Sequence, residues 1–108
     1  MSDTPVLDLL TQMTADSFER TNLDASTLML VRLAALVAVD APPASYVTNL
    51  AAADAAGIGM EDLQNVLIAV APIVGTARVA SAAGNVARGL GLAIMAAEAE
   101  AEAEDAGA

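Results

Sequence analysis

Four side chains in the first half of the chain have types and spacing that could do chemistry: Arg32, Ser45, Tyr46 and Asn49. Ser45 and Asn49 stand one helical turn apart, and Tyr46 and Asn49 form an i, i+3 pair, so both pairs are neighbours on a helix surface. A guanidinium, a hydroxyl, a phenol and an amide converging on one corner would suit a small-molecule ligand. As catalysts they are poor. Serine without a base keeps an unactivated hydroxyl, and asparagine transfers no proton at pH 7. The plainer reading is structural: Ser45 helps to begin a helix, and Asn49 faces solvent or a neighbouring subunit. Arg32 interrupts the otherwise apolar run Leu28–Val39, and a guanidinium buried there needs a partner. Asp40, Asp54 or a carboxylate of another subunit could supply it, and an ion pair is preferred to an anion-binding site.

The chain contains no cysteine and no histidine. This excludes disulfides, thiolate catalysis, cysteine-ligated zinc and iron–sulfur centres. No glycine-rich phosphate loop, Ser-His-Asp set or HExxH motif occurs. The acidic tail offers oxygens that suit calcium or magnesium, but it lacks a glycine-bearing calcium loop, so solvation is the preferred reading. No catalytic residue, cofactor or metal site is therefore assigned.

The elements that must position these side chains are helices. Thr4-Pro5 opens the first, with Thr4 as N-cap, and Val6, Leu7, Leu10, Met13 and Phe18 form an apolar stripe that ends near Arg20. Asp24 caps the second helix, which is apolar on nearly every face and is expected to be central. Asp40-Ala41-Pro42-Pro43 ends it, and Pro43 can restart a helix at its first position. The third helix is expected from about Ala44 to Ala56, with Tyr46, Val47, Leu50 and Ala53 on one face. Gly57 suits a C-terminal cap and Gly59 an N-cap. The fourth helix buries Leu63, Val66, Leu67 and Val70 until Pro72 and Gly75 break its ladder. Thr76 caps a long fifth helix through Met95 and into the tail, whose small residues Ala80, Ala83, Gly84, Ala87 and Gly91 point to a close helix contact. Gly84, Gly89 and Gly91 each cost roughly 0.8–1 kcal/mol against alanine, and such a contact is the usual compensation.

Composition bounds the rest. A chain of 108 residues is one domain, burying roughly 60–70% of its unfolded surface. The expected division is a helical domain over 1–96 and an acidic Ala/Glu tail over 97–108, frayed or disordered. Apolar residues make up 56% with one Phe, one Tyr and no Trp, so the core must be Leu, Val, Ile, Met and Ala, and helices are favoured over a sheet. The net charge of −10, with arginine the only basic residue type, repels phosphate backbones and anionic membranes, so no nucleic-acid partner is expected. The apolar runs Leu28–Val39 and Val66–Ala77 are each near 12 residues, short of the ~20 that span a bilayer. Met-Ser-Asp-Thr-Pro has no signal-peptide character, and the expected location is the cytoplasm. Richness in alanine with no lysine points to a high-GC bacterial genome.

The order of these pieces resembles the carboxymuconolactone decarboxylase family, which includes the AhpD-like alkyl hydroperoxidases. The stretches that carry the resemblance are Arg32-Leu33-Ala34-Ala35-Leu36, Leu50-Ala51-Ala52-Ala53-Asp54-Ala55-Ala56-Gly57 and Gly59-Met60-Glu61-Asp62, within a similarity from about Leu28 to Gly91. The resemblance implies an all-α, AhpD-like bundle of about five to six helices, assembled as a homo-oligomer, trimeric or hexameric. It also implies Cys-x-x-Cys-x-x-x-His in the redox members, and counting back from Gly57 puts that motif on Pro42, Ser45 and Asn49. All three chemical groups are missing, as is the glutamate expected within Leu28–Val39. Cysteine-based peroxidase activity is therefore excluded, and the histidine- and carboxylate-dependent acid–base work of the decarboxylases lacks its histidine. The preferred reading is a non-catalytic homo-oligomeric protein of structural or interaction role. The alternative is a small-molecule binding protein or cysteine-independent enzyme using Arg32, Ser45, Tyr46 and Asn49 at the corner between the second and third helices. An unknown protein or small-molecule partner fits either.

Overall fold

Residues with strong helix-start chemistry set the beginnings of the first three helices. The computed structural model describes residues 3–107, without the side chains at 92–93, 96–97 and 105–107. Met1, Ser2 and Ala108, which the expected domain bounds include, lie outside the described residues. Five helices follow in order: α1 Pro5–Arg20, α2 Ala25–Ala38, α3 Pro43–Ala55, α4 Met60–Val74 and α5 Thr76–Gly107. No strand occurs among the described residues, so the fold is all-α.

Pro5 and Pro43 both sit at the first position of their helices, where the missing N–H costs nothing. The Asp24 carboxylate accepts from the Thr27 backbone N–H at 2.8 Å and from Ser26 Oγ at 3.1 Å. These bonds, the Thr27 backbone bond first, hold its carboxyl below the ordinary aspartate value. At the start of α4, Asp62 Oδ2 accepts the Gly59 N–H at 2.9 Å. That is half of a capping box, the half that glycine permits.

α2 is the central element and packs against α3, α4 and α5. Met29, Leu33, Ala41, Tyr46, Ala53, Leu63, Val66 and Val86 form one buried cluster. The expected buried face of α4 is present, with Leu63 and Val66 buried and Leu67 and Val70 half-buried. α2 is not enclosed all round, since Val31, Ala35 and Ala38 remain exposed. α1 forms over the expected residues, but none of them is buried. Its backbone approaches none of the other four helices closely.

Three expectations require correction. α5 begins at Thr76 itself, and Gly75, whose carbonyl accepts the Val79 N–H at 3.2 Å, holds the N-cap position expected of Thr76. Pro72 lies inside α4, which runs on to Val74 and ends at Gly75, whose φ is 88°. The missing N–H falls in the last turn of the helix, so the cost of an interior proline is contained there. The small-residue stripe of α5 is not its packing face: Ala80, Ala83 and Ala87 are exposed, and the buried seam is Ala82, Val86 and Gly89. Only Gly89 supports the close-contact argument. A Cβ there would lie 3.0 Å from the Pro43 carbonyl oxygen and 3.3 Å from Tyr46 Cβ. At Gly84 a Cβ would meet only the Arg88 guanidinium, and at Gly91 nothing.

α5 continues through the Ala/Glu run, with Glu98, Glu100, Glu102 and Glu104 exposed. At 1.5 Å per residue its 32 residues span about 48 Å, which accounts for the 51 Å long axis of the molecule. No helix is long and apolar enough to cross a membrane among the described residues.

Candidate functional site at the corner between α2 and α3

The corner begins with a residue in an unusual conformation. Asp40 has φ of 54°, the left-handed region that most non-glycine residues avoid. Its N–H donates to Val37 O at 3.2 Å and the Ala41 N–H donates to Leu36 O at 3.0 Å. This is a Schellman closure with aspartate in the place usually held by glycine. The α3 C-terminus repeats the pattern with glycine: the Gly57 N–H donates to Asp54 O and the Ile58 N–H to Ala53 O.

Polar side chains on one edge of α5 clamp this corner. Ser81 Oγ donates to Asp40 Oδ1 at 2.6 Å, and Asn85 Nδ2 donates to Ala41 O at 3.1 Å. Arg78 donates to the Ala38 carbonyl. Arg88 Nη1 donates to Asn85 Oδ1 at 3.0 Å, which orients the amide. Carbonyls at the end of a helix lack partners within it; Arg78 satisfies that of Ala38, the last residue of α2, and Asn85 satisfies that of Ala41 in the connection beyond it. The arrangement fixes one helix end against another.

The four sequence-predicted residues do not converge. Tyr46 is fully buried in the core, and its hydroxyl has no hydrogen-bond partner among the described residues. Burial, with the charge of Asp40 adding to it, pushes the phenol above the usual tyrosine value. Asn49 Nδ2 donates to Ser45 O at 2.8 Å, one turn back along the same helix. The Ser45 N–H donates to Pro42 O at 3.0 Å, within the first turn of α3. Arg32 turns to α1: its Nη2 donates to Ser17 Oγ at 3.0 Å and its guanidinium stacks 4.3 Å above the Phe18 ring. A hydroxyl and a ring thus hold Arg32, in place of the carboxylates considered for it. Asp40 instead bonds Ser81.

Sequence reasoning missed the contribution of α5. Arg78, Ser81, Asn85 and Arg88 recur at three- and four-residue spacing, which marks one polar helix edge, and this was the available signal. It also missed an apolar cavity of about 340 Å³ on the other side of α3, lined chiefly by Leu33, Leu50, Ile58 and Leu63. None of Arg32, Ser45, Tyr46 and Asn49 lines it. Among the described residues no group of three acidic side chains could hold a metal ion.

A model of the carboxymuconolactone decarboxylase family matches residues 4–88, which takes in α1, the corner and its clamp on α5. The chain belongs to the carboxymuconolactone decarboxylase family. No curated protein and no solved structure matches it. Membership extends the family likeness back from Leu28 to Thr4, so α1 is part of the family domain. In this member of the family Pro42 is the N-cap of α3, and Ser45 and Asn49 serve that helix's own hydrogen bonds.

Proposed function

We propose that the protein is a non-catalytic, cytoplasmic, homo-oligomeric member of the carboxymuconolactone decarboxylase family with a structural or interaction role. The observation that carries the assembly is α1. Val6, Leu7, Leu10 and Met13 are each more than half exposed, on a helix that Arg32 ties to the body through Ser17 and Phe18. An apolar stripe of that length in water is a surface awaiting a partner. Ile73, 87% exposed, and an apolar groove between α2 and α4 beside Leu30, Val31 and Val70 add to the uncovered area. The lack of catalysis is supported by chemistry: no side chain in the chain offers a thiolate or an imidazole.

Light scattering of the purified chain tests the assembly. The expected mass is a multiple of 10.8 kDa, three- or sixfold, and a Leu10→Asp, Met13→Asp variant is expected to fall toward the monomer while keeping its helical circular dichroism. A monodisperse monomer across the micromolar range sinks the assembly. Turnover of carboxymuconolactone or a hydroperoxide above a buffer blank sinks the non-catalytic part.

A further inference from the structure

From the cavity behind α3 we infer a binding site for a small hydrophobic cation, an alkyl- or arylamine whose apolar part fills the cavity and whose ammonium pairs with Asp54. The volume of about 340 Å³ lies in the range of small-molecule pockets, about 300–1,000 Å³. Its walls come from α2 (Leu33), α3 (Leu50), α4 (Leu63) and α5 (Leu90), so the site is built by four elements of the bundle. Among the described residues, Asp54 is the single charged one lining it. That carboxylate is exposed and makes no hydrogen bond or ion pair among the described residues.

The chain has little of its own to neutralise this carboxylate. It contains no lysine. Arg32, Arg78 and Arg88 are engaged with Ser17, the Ala38 carbonyl and Asn85. With a net charge of −10, the field of the whole molecule draws cations toward an apolar site and repels anions. Charge and shape therefore select the same ligand, an amine with a short hydrocarbon body. The inference does not depend on the assembly proposed above. Leu50 and Asp54 stand one turn apart on α3, and neither Ser45 nor Asn49 lines the cavity.

Titration of the isotope-labelled full chain with n-hexylamine, n-hexanol and n-hexanoate, followed by amide chemical shifts, tests this. Hexylamine is expected to give saturable shifts centred on Leu33, Leu50, Asp54 and Leu63. Hexanol should bind about two- to fivefold more weakly, as an exposed ion pair allows, and hexanoate should not bind. Shortening the amine by one methylene should weaken binding about fourfold. In Asp54→Asn the preference for amine over alcohol should vanish. Ala51 lines the cavity from the exposed side of α3, so Ala51→Phe should block it with melting temperature preserved. Absence of saturable shifts, equal binding of amine and alcohol, or amine shifts that survive Ala51→Phe would each overturn the inference.

Discussion

Tyr46 is the residue at which burial and polarity conflict most. A buried hydroxyl without a partner bears its full desolvation penalty, so Tyr46→Phe is expected to stabilise the fold by about 1 kcal/mol, read as a higher urea midpoint at pH 7. The same residue sets an alkaline limit. Its phenol is held above the usual value, by burial first and Asp40 second, so the native state keeps a proton that the unfolded chain releases near pH 10. Stability contributed by this group is complete below that pH and is lost as pH rises toward the folded value. Denaturation at pH 9 and 10.5 should show the wild type losing stability between them and Tyr46→Phe losing less. Two α5 glycines give a matched pair. Gly91→Ala, with open space around it, should stabilise by about 0.5–1 kcal/mol through helix propensity. Gly89→Ala places its methyl against the Pro43 carbonyl and Tyr46, where backbone cannot yield, so it should destabilise by about 1 kcal/mol or more. Thermal melts of the two variants check the opposite signs.

At the scale of elements, α1 and α5 behave in opposite ways. α5 is held to the rest by an apolar seam and a polar edge together, whereas α1, among the described residues, is held by Arg32 at Ser17 and Phe18 and faces Thr48 of α3 across an apolar groove. Cation–π contacts are worth about 0.5–1 kcal/mol at exposed sites. Arg32→Ala is therefore expected to raise chymotryptic cleavage near Phe18 about two- to fivefold at dilute protein. The urea midpoint of the α2–α5 body should stay within experimental error. Unchanged proteolysis would mean that α1 is held by something other than Arg32. Much of the element pattern was legible: the proline starts at Pro5 and Pro43, the aspartate cap at Asp24 and the glycine closure at Gly57 all act through their own backbone chemistry. The closure at Asp40 was not legible in the same way. Aspartate adopts the left-handed region less readily than glycine, and Ser81, 41 residues later, bonds its side chain.

For the whole molecule, the acidic surface, the uncovered α1 stripe and the cavity behind α3 are one problem of what completes the fold. Local chemistry alone determined the all-α class, the order and approximate ends of the helices, the buried face of α4 and the exclusion of thiol and imidazole chemistry. Each of these depends on residues near one another in the chain or on which side chains exist at all. Only the tertiary structure decided which face of α5 packs, which partner Arg32 takes, and that Arg32, Ser45, Tyr46 and Asn49 do not meet. Helical periodicity fixes which residues share a face, but not which neighbour that face meets. Ser81 and Asn85 on α5 bond the corner at Asp40 and Ala41, and that pairing exists only once the chain has closed on itself. The cavity beside Asp54 arises in the same way, from four helices whose side chains leave a space that none of them encodes singly.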